Sequence, residues 1–132
     1  MIRKHGIIRN SKGAAAIELA LALPILLELF WVVFQAGLVF RAMSGIQHGL
    51  GEGARYATLF PQPSTTQIKN RISDTVYGIG PGSFTIATPS PGTADGANYL
   101  DLTVSYTQST DLIFIPGPTV TVSRSKRVWV SN

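Results

Sequence analysis

The sequence predicts an α+β chain: one long N-terminal helix, then a short helix and a small antiparallel β-sheet headpiece. Three observations carry that expectation. From Ala14 to Phe40 only Glu18, Glu28 and Gln35 are strongly polar. Past that run the apolar residues thin to a stripe, Val39, Met43, Ile46 and Leu50, at the spacing of one helix face. From Tyr99 to Tyr106, Leu100, Leu102, Val104 and Tyr106 alternate with Asp101, Thr103 and Ser105, the period of a half-buried strand. One apolar sheet face and one amphipathic helix then bury each other.

The 132 residues make one small domain's worth of chain. Hydrophobic residues make up 45% and charged residues only 14%, against about 25% in ordinary soluble domains. That deficit argues against a cytoplasmic enzyme. There is no cysteine, which excludes disulfides, thiolate metal sites and cysteine nucleophiles. The net charge of +4 belongs to the head, where Arg3, Lys4, Arg9 and Lys12 stand without an acid. Seven basic and seven acidic residues balance in the remainder, so no nucleic-acid partner is expected. The chain therefore divides into a basic cytoplasmic leader (1–13), a transmembrane helix (14–40), its outward amphipathic extension (41–57) and an α+β headpiece (58–132).

The 14–40 run exceeds the roughly 20 residues that cross a ~30 Å hydrocarbon core. An ionised acid near mid-membrane costs about 2.5–3.5 kcal/mol, which the surrounding Leu, Ile and Phe offset. The basic head predicts a cytoplasmic N-terminus, in a bacterial inner membrane, with the C-terminus outward. A conventional signal peptide fits poorly, because Ala20-Leu21-Ala22 lies inside the apolar run just after Glu18. As one helix, 14–57 would measure about 66 Å, longer than a membrane needs. Gly45, Gly49, Gly51 and Gly53 weaken an isolated helix but permit close approach of a neighbour.

Ser64 and Thr65 can cap a short helix carrying Ile68, Ile72 and Val76, which Gly78, Gly80, Pro81 and Gly82 end. A first strand is expected over 84–88, a loop over the Pro- and Gly-rich 88–98, and a further loop over 115–118. Alternation then resumes to Val130 through Val120, Val122 and Val128. Arg124, Lys126 and Arg127 are expected on the solvated face of an edge strand.

Glu28 and Gln35 fall about 20° apart on a helix, with Glu18 some 80° from Glu28. This broad polar face suits packing against a partner helix. Pro24 frees the Ala20 carbonyl and predicts a mild kink.

The head meets the helix at Lys12-Gly13-Ala14-Ala15-Ala16-Ile17-Glu18-Leu19. A basic head, a glycine, small residues and a glutamate five positions after the glycine resemble the processing site of type IV prepilins. With Leu23-Pro24, the apolar run and Glu52-Gly53-Ala54-Arg55-Tyr56-Ala57, the chain resembles TadE-like minor pilins, or pseudopilins, of the tight-adherence (Tad/Flp, type IVc) pilus system. The resemblance covers 12–57, and the β-rich remainder fits only in general layout. It implies a pilin-like fold and cleavage by a prepilin peptidase between Gly13 and Ala14. It also implies a non-enzymatic role in pilus assembly and adhesion. The partners it implies are other pilin or pseudopilin subunits, the inner-membrane assembly machinery and membrane lipid. Leu19 departs from the aromatic residue that major pilins of this system carry there, which favours a minor pilin. Glu18 would pair with the Ala14 ammonium that cleavage creates.

Two rival classes remain at the level of sequence: an unprocessed signal-anchor protein with an extracytoplasmic binding domain, and an anchored periplasmic enzyme. The second lacks catalytic groups, since His5 and His48 are the only histidines and His5 lies in the leader. Asp95, Asn98 and Asp101 lack the spacing of a calcium loop, so neither metal nor cofactor is expected.

Overall fold

An apolar run this long, with good helix formers on both sides of Pro24, continues as one helix. In a computed structural model, which describes residues 11–131, α1 spans Ser11–Ala57 without interruption. The leader residues Arg3, Lys4, His5 and Arg9 lie outside the described residues. The buried face of α1 is turned slightly from the expected stripe. Ala42, Ile46, Leu50, Ala54 and Ala57 are buried, whereas Val39 and Met43 are only half-buried. Small residues set that rotation, because they admit a second helix.

That helix, α2 (Thr65–Thr75), starts on a capping box. The Gln67 N–H donates to Ser64 Oγ (3.3 Å) and the Ser64 N–H donates to Gln67 Oε1 (2.8 Å). Ile68 and Ile72 are fully buried. Val76, expected as the third helical contact, is instead the C-cap and donates its N–H to the Ile72 carbonyl at 3.0 Å. α2 and its exit lie against Gly45, Gly49 and Gly53, where an added Cβ would meet Tyr77, Val76 and Ile72 respectively. Glu52 links the helices from the side, 3.1 Å from Arg71 and 3.8 Å from Arg55.

The remainder forms a four-stranded antiparallel sheet of β1 (Ser83–Ile86), β2 (Ser90–Ala94), β3 (Ala97–Asp111) and β4 (Pro116–Val130). β3 is central. β1 pairs with it from Ser83↔Thr107 to Ile86↔Val104, and β2 from Ser90↔Asp101 to Ala94↔Ala97. β4 covers the opposite edge from Asn98↔Val130 to Asp111↔Pro116, with an irregularity between Ser109 and Asp111.

The loop expected over 88–98 is therefore corrected to a strand and a tight hairpin. Asp95 (φ 51°) and Gly96 (φ 77°) both take left-handed backbone, as a two-residue type I′ turn requires. Pro91 is tolerated because β2 lies at the edge of the sheet.

Leu100, Leu102, Val104 and Tyr106 bury the inner sheet face with Ile46, Ile68 and Ile72. On the outer face hydroxyls pair across β3 and β4, Thr103 with Ser125 (3.0 Å) and Ser105 with Ser123 (2.8 Å). The basic trio is split by strand alternation. Arg124 and Lys126 stand opposite Val104 and Leu102, on the helix-facing side, whereas Arg127 is on the outer face. Arg127 donates to both oxygens of Asp101 (2.8 and 2.9 Å) and lies 3.8 Å from the Tyr99 ring centroid. Hydrogen bonding from Arg127 holds the Asp101 carboxyl below its ordinary value, and Asp101 in turn raises Arg127.

Candidate functional site

Glu28, Trp31 and Gln35 lie within about 60° of one another on α1, at spacings of three and four residues. The long hairpin of β3 and β4 turns beside them. Gln35 clamps the Asp111 backbone from both sides: its Nε2 donates to the Asp111 carbonyl, and its Oε1 accepts the Asp111 N–H at 3.1 Å. The Trp31 indole N–H donates to the same carbonyl at 2.8 Å. One turn lower, Glu28 Oε2 accepts the Ile113 N–H at 3.0 Å, while its Oε1 is buried with no hydrogen-bond partner among the described residues. Three side chains of the apolar helix thus hold the backbone of a hairpin some 80 residues away.

The tip closes on itself. The Leu112 N–H donates to the Ile115 carbonyl (2.9 Å) and the Ile115 N–H to the Leu112 carbonyl (3.2 Å). Its side chains face outward: Ile113 is 50%, Phe114 66% and Ile115 61% exposed. Ile113 completes an apolar cleft of about 390 Å³ with Leu27, Phe30, Trp31 and Phe34.

Gly13 and Ala14 lie in the first described turn of α1, with Ala14 exposed. Glu18 follows Ala14 by one turn; it is exposed and makes no hydrogen bond or ion pair among the described residues. Glu28 and Gln35, expected on a packing face for a partner helix, have an intrachain partner in the hairpin tip. The Glu52-to-Ala57 segment lies on the α2 side of α1: Gly53, Ala54 and Ala57 are buried, Glu52 binds Arg71, and Arg55 is exposed. The structure therefore holds three separate places, the Gly13–Glu18 junction, the clasp and the α2 seat.

Trp31 and the tip were missing from the sequence expectation. The available signal was Leu112-Ile113-Phe114-Ile115, four apolar residues where a hairpin ordinarily carries turn residues. Among the described residues no group of three or more His, Cys, Asp or Glu side chains is placed to hold a metal ion. His48 packs beside Tyr77, ring centroids 5.6 Å apart.

One helix, Gly13–Ala57, is long and apolar enough to cross a membrane, and its most apolar stretch is left uncovered by the rest of the chain. Comparison with curated proteins and with solved structures finds no match. Residues 13–55 match the family model of the TadE-like proteins. Over that segment, which includes the apolar helix with Glu18 and Glu28 and most of the α2 seat, the chain is similar to the TadE-like proteins.

Proposed function

We propose that the chain is the precursor of a minor pilin, or pseudopilin, acting in tight-adherence pilus assembly and surface adhesion without enzymatic activity. The observation that carries this reading is where the family segment begins: at Gly13, the residue after which a prepilin peptidase would cut. Ser11, the first described residue, is already helical, and Gly13 and Ala14 lie in the same helix. Glycine disfavours helix by about 1 kcal/mol relative to alanine, which lowers the cost of opening the backbone at this bond into a peptidase. The leader would remain on the cytoplasmic side with the headpiece outward, following the excess of basic residues before the span.

Cleavage places a new ammonium on Ala14, at the positive end of the helix dipole, where a carboxylate neighbour is favoured. Glu18 is one turn away and unpartnered among the described residues. Within one chain the pair relieves a buried charge; between chains it makes that relief depend on docking beside another subunit. On this reading the partners are prepilin peptidase, other pilin or pseudopilin subunits, their inner-membrane machinery and lipid.

Mass spectrometry of the protein from cells with an active prepilin peptidase tests the first step. The expected mature N-terminus is Ala14, and Gly13→Val abolishes cleavage by crowding the scissile bond. Glu18→Ala is expected to preserve insertion and processing while reducing surface pili and subunit co-purification, with Glu18→Asp intermediate. Intact Met1 to Lys12 on the mature protein would return the chain to an unprocessed signal anchor.

A further inference from the structure

We propose that the β3–β4 hairpin tip, Leu112 to Ile115, is a second membrane contact, seated in the outer boundary of the bilayer that α1 crosses. The occupant of its exposed apolar surface is lipid: the upper acyl chains and the headgroup edge. This goes beyond the pilus reading and rests only on α1 spanning a membrane.

The helix fixes the depth. Glu28 and Gln35 lie about 22 Å and 33 Å along α1 from Gly13, at ~1.5 Å per residue. A hydrocarbon core of ~30 Å entered near Ala14 therefore ends between them. The clasp holds Asp111 and Ile113 at that level, so the tip cannot stand off in water while α1 is inserted.

The tip's composition suits that level. No charged residue occurs from Leu112 to Ser123. The exposed Ile113, Phe114 and Ile115 form an apolar patch, a surface that soluble loops avoid unless something covers it. The patch is continuous with Leu27, Phe30, Trp31 and Phe34 through the shared cleft, so one apolar belt runs from helix to tip.

The backbone also suits it. Non-helical chain at membrane depth must satisfy its polar groups within the protein. Leu112 and Ile115 exchange both their bonds, Asp111 is held by Gln35 and Trp31, and the Ile113 N–H is held by Glu28. Trp31, an apolar body with its indole N–H already engaged, is a residue type enriched at membrane interfaces.

The chain has no native cysteine, so a single label can be placed cleanly. Full-length Phe114→Cys, Ile25→Cys and Ser123→Cys would each carry an environment-sensitive fluorophore. Each would be reconstituted alone into phosphatidylethanolamine–phosphatidylglycerol vesicles with lipids brominated high in the acyl chain. The expected result is blue-shifted emission at 114, quenched several-fold more strongly than at 123 and approaching 25. Quenching at 114 no greater than at 123, with 25 quenched, overturns the contact. That is also the result if the tip's true cover is a neighbouring subunit's helix. An unquenched label at 25 removes the span and the tip contact together. With 25 quenched, neither outcome at 114 bears on the assembly reading, whose own test is the mature N-terminus; an unquenched 25 counts against both.

Discussion

Replacing Gly45 by alanine adds one methyl group to α1 and should lift the exit of α2 off the helix. Two opposing effects act. Alanine favours helix over glycine by about 1 kcal/mol. Against that, a Cβ at Gly45 would overlap the Tyr77 carbonyl oxygen and lie 2.8 Å from its carbon and 3.1 Å from its nitrogen. These are backbone atoms next to the α2 cap, so they cannot swing aside as a side chain can. Overpacking of this kind costs about 1–3 kcal/mol, and the cover over buried Ile72 is disturbed as well. The net expectation is destabilisation by about 1–2 kcal/mol. Gly51→Ala is the internal control: nothing lies within 4 Å of its added Cβ, so only the helix-propensity gain of about 1 kcal/mol remains. For a unit the size of the headpiece, 1 kcal/mol moves Tm by about 4–8 °C. The two variants should then melt about 10–20 °C apart, on opposite sides of the unmodified protein. Near-ultraviolet circular dichroism of the full chain in detergent micelles follows the transition. If Gly45→Ala melts at or above the unmodified protein, the close seating of the α2 exit on α1 is wrong.

Gln35→Ala strips the Asp111 backbone of two hydrogen bonds at a cost of about 1–3 kcal/mol. Amide exchange at Asp111 and Ile113 should accelerate about tenfold or more, with Ile68 and Ile72 unchanged; equal protection in the variant removes the clasp. For the Asp101–Arg127 pair the sign follows from a carboxyl lowered by folding. Its contribution is present above the unfolded value of about 3.9 and is lost as pH falls through the lower folded value. Both groups are solvent-exposed, so the loss in stability is small, and the readout is local. The Trp129 indole resonance, whose ring packs on Tyr99 beneath Arg127, should be flat from about pH 8 to 5 and shift below about pH 4. Asp101→Asn should abolish that shift, and a midpoint near neutrality would contradict the assignment.

What was legible in the sequence was what local chemistry dictates. The single long helix, the Ser64 start of α2 and the alternation from Tyr99 onward each rest on neighbours within a turn or a pleat, and each recurs in the structure. Strand β2 was hidden because Pro91 and Gly92 read as loop residues, and only an edge position opposite Leu100 and Tyr99 makes them acceptable. The split of Arg124 and Lys126 from Arg127 follows from alternation, but which face counts as inner depends on register with β3. The clasp was the least legible feature. Its helix side chains meet backbone groups some 80 residues away, and a backbone partner leaves no trace in residue identity. Glu28 and Gln35 were recognisable as a polar face in need of a partner; the partner itself required the fold.

The two acids in the apolar part of α1, Glu18 and Glu28, are treated differently, and on the proposed function that difference separates folding of the chain from its assembly. Glu28 has a partner for one oxygen in the hairpin tip, so the headpiece itself offsets part of the cost of placing a carboxyl in an apolar span. Glu18 lies ten residues earlier, about 15 Å down the helix, below anything that the described residues place beside α1. An uncompensated buried carboxylate costs several kcal/mol, and among the described residues no side chain of the headpiece is hydrogen-bonded or ion-paired to Glu18. On the proposed function, relief comes from an Ala14 ammonium, in the same chain or in the next. The clasp bears on which neighbour can supply it. Glu28 and Gln35 are covered by the hairpin, so a second helix packing along α1 has to approach from another side. Glu18 projects about 80° away from Glu28, clear of the tip. A neighbour that reads Glu18 therefore does not have to displace the hairpin. Folding of the headpiece and capture of the next subunit are then independent events on one helix.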